Sequence, residues 1–240
     1  MFKRVLIIAT AFLSYIASNA QPSKNAQAVY RQGVAFMEKE KYPEAMASFF
    51  KTVALYKRHD SAYVQMANIN AKFNSYDTAI SFYKKALAIN PNYLQALINI
   101  AALYKNIEHD VNGALGFYLR ALAIDSTNKE VLNWIAWCNN SLKHYDKAMT
   151  YAVKALAVDN NYKGAYGELA HAINMSKKYS EGIEQLKKNI AVSPHELPMY
   201  YAGLCYLELK DKAGALSMVD ELTKISSKLA ETLKKKVEKM

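Results

Sequence analysis

The sequence predicts an all-α fold of stacked helix pairs, on three observations. A pattern of small and aromatic residues recurs about every 34 residues, and a fixed period of that length marks a repeat architecture. The 240 residues include only 8 Gly and 5 Pro, fewer turn residues than a sheet-rich fold uses but enough for helices joined by short turns. Apolar residues make up 52% and charged residues 22%, a balance that favours a packed core over disorder.

The first 20 residues, MFKRVLIIATAFLSYIASNA, stand apart from this pattern. Lys3 and Arg4 precede an apolar run over 5–16, and Ser18, Asn19 and Ala20 supply small residues behind it. That layout predicts a secretory signal peptide cleaved after Ala20. The apolar run is too short for a spanning helix, which needs about 20 residues. The expected mature chain starts at Gln21 and works in a bacterial periplasm or cell envelope.

Each repeat follows in order. The second-helix segments read AMASFFKTVALYK over 45–57, AISFYKKALAINP over 79–91, ALGFYLRALAIDS over 114–126, AMTYAVKALAVDN over 148–160 and GIEQLKKNIAVSP over 182–194, and Ala215 opens a weaker sixth copy. Ala79, Tyr83 and Ala86 are spaced 4 and 3, so they share one helix face. Small residues there let helices approach, and the aromatic fills the space between. First-helix segments carry a small residue followed three places on by an aromatic: Gly33 with Phe36, Ala101 with Tyr104, Gly203 with Tyr206. Tyr42, Tyr76, Tyr145 and Tyr179 each stand three residues before the small residue of the second helix. Turns are marked by Pro91-Asn92, Ser126-Thr127-Asn128, Asp159-Asn160-Asn161 and Ser193-Pro194, where Asn, Ser and Thr are expected to cap the following helix. Pro43 sits where a first helical turn tolerates proline.

Six such units in register resemble the tetratricopeptide-repeat (TPR) family over about residues 26–226. The resemblance implies a right-handed superhelical solenoid of six units, at about 26–59, 60–93, 94–128, 129–162, 163–195 and 196–225. A lone helix hairpin cannot bury its apolar side, and stacked neighbours give it a continuous core. The sequence also departs from the family pattern. Asn70, Asn139 and Ile173 stand where the family prefers an aromatic, and Gly182, Leu186 and Asn189 replace the small-aromatic-small triplet, so looser packing or a different curvature is expected at these places. The third unit carries one extra residue within 107–110. Leu229, Leu233 and Val237 form a narrow stripe among Lys234, Lys235, Lys236 and Lys239, which predicts a capping helix over 226–240.

Function enters through the same resemblance. In TPR proteins the first helix of each unit lines a concave groove that takes an extended peptide or a partner helix. Carried onto this sequence, the groove would be lined by Tyr30 and Arg31, then Gln65, Asn68 and Lys72, then Asn99. Asn133, Trp134, Trp137 and Asn140 follow, then His171 and Asn174, and finally Tyr200 and Tyr201. Trp134 and Trp137 are the only tryptophans, and large aromatics beside amides are typical hot-spot material. The recurring asparagines are expected to hold a peptide backbone. A chaperone-type carboxylate clamp is excluded, because Val64, Glu130 and Trp134 occupy the places of its cations.

No HExxH, GxSxG or phosphate-cradling glycine loop is present, so neither catalysis nor a cofactor is expected. Cys138 and Cys205 lack CxxC spacing, which predicts buried free thiols and no metal site. The net charge of +10 is spread along helices and interleaved with acids up to the tail, and nucleic-acid motifs are missing. The expected partner is a protein or peptide. The alternative is an envelope polymer or a membrane surface bound through the positive charge.

Overall fold

A computed structural model describes residues 23–106 and 109–240. The predicted signal peptide therefore lies outside the described residues, as does part of the insertion at 107–110. The chain is all-α, with thirteen helices among the described residues. They run in pairs: α1 (Lys24–Glu38) with α2 (Tyr42–Leu55), α3 (Asp60–Lys72) with α4 (Tyr76–Ile89), and α5 (Leu94–Asn106) with α6 (Val111–Ile124). Next come α7 (Lys129–Ser141) with α8 (Tyr145–Val158), α9 (Lys163–Ser176) with α10 (Tyr179–Val192), α11 (Glu196–Glu208) with α12 (Lys212–Lys224), and the single helix α13 (Leu229–Val237). The described residues fall into two compact units that divide within α5, after Ala96.

The turn inside each pair is closed by one residue in the left-handed region. These are Glu40, Asn74, His109, Lys143, Lys177 and Lys210, with φ between 51° and 62°. Their spacing of 34, 35, 34, 34 and 33 repeats the period of the small residues in the sequence. None is a glycine, although glycine is the residue that takes this conformation without a Cβ penalty.

Side-chain caps start five of the helices. Ser23 accepts from the Ala26 N–H, His59 Nδ1 from Ala62, Asp110 from Gly113, Asn128 from Val131 and Asp211 from Gly214. Of the expected turn caps Asn128 acts in this way. Tyr162 and His195 stand at the N-caps of α9 and α11 and make no side-chain cap bond. Asn160 reaches onward instead, its amide donating to the Asn189 and Ser193 carbonyls. Asn90 likewise donates to Asp60, 30 residues back. Asn160 thus ties its turn to the corresponding turn of the next repeat, while Asn90 ties the end of α4 to the start of α3.

In the unit ending at Ala96, the core is built on Phe49, Met66, Ala79, Tyr83 and Ala86. Phe49 lies so close to Gly33 that a Cβ there would stand 2.7 Å from its ring, which explains the small residue. In the unit from Leu97 onward, Leu132, Ala152, Tyr166, Leu169, Leu186, Met199, Leu222 and Leu233 belong to one continuous cluster.

The expected loose packing at Gly182 is not found. Ile173 fills the space above it, and a Cβ on Gly182 would meet the Ile173 side chain at 2.5 Å. A β-branched residue on one helix has replaced the aromatic while the glycine on the next has made room for it. Asn70 and Asn139 also fit without an aromatic, because each amide donates to the carbonyl four residues earlier, Met66 and Ile135. At the C-terminal end, Leu233 of α13 is fully buried and sits over Gly203 of α11. Ala230 and Val237 are buried on the same side, while Lys234, Lys235 and Lys236 are exposed.

Candidate groove site

The expected groove residues divide between the two units. In the first unit, the Tyr30 ring lies tilted against two others, its centre 4.6 Å from that of His59 and 5.7 Å from that of Phe49. Its hydroxyl bonds to Gln65, and burial raises its pKa. The Asn68 amide is used inside the fold: its N–H donates to Gln65, and its oxygen accepts from the Tyr83 hydroxyl. Arg31 and Lys72 are exposed, with the Lys72 ammonium 5.1 Å from the Tyr42 ring centre. Asn99 is half-buried on α5.

In the second unit, the first helices α7, α9 and α11 pack in succession. Asn133 and Asn140 are only 7% and 6% exposed, which corrects the expectation that both amides line an open groove. Asn140 donates across to α9, to the Glu168 carbonyl at 3.0 Å and to its carboxylate at 2.7 Å. Asn133 lies against Gly164 at the start of α9. Asn140 therefore joins two helices instead of waiting for a peptide, whereas Asn133 packs against α9 with its side-chain oxygen buried and without a hydrogen-bond partner among the described residues.

The tryptophans are half-buried. Tyr118 of α6 stacks near-parallel on Trp134, ring centres 6.5 Å apart. Lys105 of α5 places its ammonium 3.7 Å from the Trp134 ring centre and 5.0 Å from that of Trp137. Burial holds Lys105 below the ordinary lysine range, against the opposing influence of Cys138 and Glu168.

A cavity of ≈ 420 Å³ opens between α9 and α11. It brings together three of the expected residues, His171, Asn174 and Tyr201, with Leu204, Cys205 and Glu208. Tyr179 and Lys236 complete its rim, and the Tyr179 hydroxyl donates to the Asn174 side-chain oxygen at 3.3 Å. Tyr200 is half-buried with its ring 5.8 Å from that of Tyr201. Both cysteines are buried free thiols, and burial pushes Cys138 up to about 12 and Cys205 up to about 11. Among the described residues no three His, Cys, Asp or Glu side chains converge as a metal site. No described helix is long and apolar enough to cross a membrane.

The sequence reading missed Lys105, Tyr179, Glu208 and Lys236. Lys105 was legible in principle. It stands 11 residues after Leu94, where Asn140 stands 11 after Lys129 and Asn174 stands 11 after Lys163, so reading that column of the repeat brings it to the groove. Lys236 was not legible, because only the docking of α13 carries it to the cavity.

Comparison with known proteins agrees with this geometry. A family model described as tetratricopeptide repeat matches residues 60–93 and 129–162. The photosystem I assembly protein Ycf3 of Acaryochloris marina is 30% identical over 132 residues, spanning 48% of this chain and 80% of that protein. The chain belongs to the tetratricopeptide-repeat family. A second relative, the uncharacterized protein ycf37 of Guillardia theta, is 31% identical over 123 residues, covering 48% of this chain and 68% of that one. The crystal structure of a tetratricopeptide repeat protein from Parabacteroides merdae superposes with a TM-score of 0.60 at 17% identity, covering 90% of this chain and 86% of the other, a likeness of fold. This TPR protein is a protein-binding scaffold and not an enzyme.

Proposed function

We propose that this TPR scaffold grips a polypeptide segment, extended or helical, on the face formed by the first helices of its second unit, with the cleft between α9 and α11 as the principal seat. The cleft carries the reading. Its walls are mainly apolar, from Leu204, Tyr201 and Ile173, and its rim offers a few polar groups in Asn174, His171 and Glu208, the composition of a binding site. The relatives named for photosystem I assembly suggest the class of task, helping a multi-subunit protein complex to form. The signal-peptide pattern of the first 20 residues supports export, with the mature chain starting at Gln21 and working in the periplasm or cell envelope. Intact mass and fractionation of the exported protein test that location, and a species retaining Met1 in the membrane fraction would refute it.

The site is tested with Tyr201→Ala and Leu204→Ala. The partner is first captured from envelope extracts with the parent protein and identified, and its affinity is then measured for each variant. Truncating an aromatic hot spot costs at least about 2 kcal/mol of binding, so affinity should fall roughly thirtyfold for Tyr201→Ala. Unchanged affinity in both variants, with melts close to the parent, would rule out the cleft as the site. A steep loss of the parent's binding with salt would favour a charge-driven surface instead.

A further inference from the structure

We propose that Lys105, held between the indoles of Trp134 and Trp137, is a seat for an acidic side chain, Asp or Glu, of the bound polypeptide. The inference rests on the protein-binding reading above and adds to it the chemistry of the partner.

Three observations carry it. The ammonium lies over two aromatic rings, at 3.7 Å and 5.0 Å from their centres, and the Tyr118 ring stacks near-parallel on the nearer indole. Ring faces attract a cation but accept hydrogen bonds poorly, so the three ammonium donors lack the strong acceptor that a carboxylate would supply. Among the described residues no carboxylate lies within ion-pair distance of Lys105. The nearby Glu168 carboxylate is already bonded by the Asn140 amide at 2.7 Å, which holds it on α9. Among the described residues Lys105 is thus a half-buried, pre-positioned cation without a carboxylate partner. An incoming lysine or arginine would meet a like charge at the same spot. A carboxylate gains a charge-assisted hydrogen bond, strengthened by partial exclusion of water.

The chain carries 2 tryptophans, and both contact Lys105, so intrinsic tryptophan fluorescence reports on this site alone. The full chain is titrated with three tryptophan-free peptides. One is a Glu/Leu peptide blocked at both ends, one is the matching Lys/Leu peptide, and one is a neutral peptide with a free C-terminal carboxylate. The Glu/Leu peptide should give a saturable change in emission. Its affinity should fall roughly tenfold to a hundredfold in Lys105→Met, which keeps the apolar stem, and should be retained in Lys105→Arg. Glu168→Gln removes a competing negative charge and should tighten binding. This variant keeps the test open even where Lys105→Met melts well below the parent.

The proposal is overturned if the Glu/Leu peptide produces no saturable change, or if a folded Lys105→Met binds it like the parent. It is equally overturned if Lys105→Met instead gains affinity for the Lys/Leu peptide, which would make the indoles a cation seat that Lys105 occupies. Response to the free C-terminus alone also refutes it. Should the identified partner bind Lys105→Met normally yet be lost from the Tyr201 and Leu204 variants, the carboxylate seat falls while the cleft stands. The converse pattern removes the cleft and keeps the seat.

Discussion

His59 shows how one side chain carries both a local and a long-range task. It caps α3 through Nδ1 and supports the Tyr30 ring. Burial lowers its pKa from the ordinary 6.5, against a smaller opposing pull from Asp60. A depressed folded pKa means that the unfolded chain takes up the proton first, so the neutral ring contributes its full stability above the unfolded value and loses it as pH falls toward the folded one. Protonation also removes the lone pair that accepts from Ala62. The melting temperature should therefore fall as pH drops from about 7.5 through the unperturbed histidine pKa of about 6.5. His59→Asn keeps a capping oxygen and should flatten that slope, even if the variant melts lower throughout for want of the stacked ring. Parallel pH profiles for parent and variant would remove His59 as the cause. The buried asparagines teach the complementary lesson. Nothing local distinguishes Asn140, which bonds 28 residues onward to Glu168, from Asn174, which is exposed at the cleft rim. Sequence spacing put both on a groove, and only the packing of α7 on α9 separates them.

At the scale of the helix, the period was legible because close approach leaves a strict signature. Ala86 and Ala121 are fully buried, and any larger residue must displace a neighbouring helix. Ala86→Phe and Ala121→Phe should each cost about 1–3 kcal/mol, read by thermal or denaturant unfolding. If both unfold like the parent, the helix pairing at these positions is wrong. The turns within pairs were far less legible. Their left-handed residues are Glu, Asn, His and Lys, without the glycine that usually announces such a turn. Two departures from the family pattern, Ile173 and Gly182, make sense only as a pair, since the bulk of one occupies the space left by the other.

For the whole molecule, stability is a chain of neighbour contacts. In the unit from Leu97 onward, the later repeats lean on one another through a shared apolar layer and through ties such as Asn160 to Asn189 and Ser193. In such an array the end units have a face with no neighbour, and a cap must cover it. The all-α class and the helix pairs could be read from the sequence alone. The binding face was read less completely: the repeat placed His171, Asn174 and Tyr201 at the cleft, but Lys236 arrives there from a helix outside the repeat.

The seat of Leu233 over Gly203 bears on how many molecules stay apart in solution. That contact turns the last repeat from an open socket into a finished surface. A chain ending at residue 225 would bare the notch at Gly203 and the apolar flanks of α11 and α12, and α1, built to the same repeat, is the kind of helix that fits there. Head-to-tail contacts of this kind do not close on themselves and grow into open strings. The shortened chain should therefore elute from a sizing column as a concentration-dependent ladder, whereas the intact chain holds a fixed size. A single sharp species from the shortened chain at all concentrations would show that α13 matters for stability alone. Viewed in this way, nine residues of lysine-studded helix act as a chain terminator, setting the length of a stack that the repeats by themselves have no means of ending.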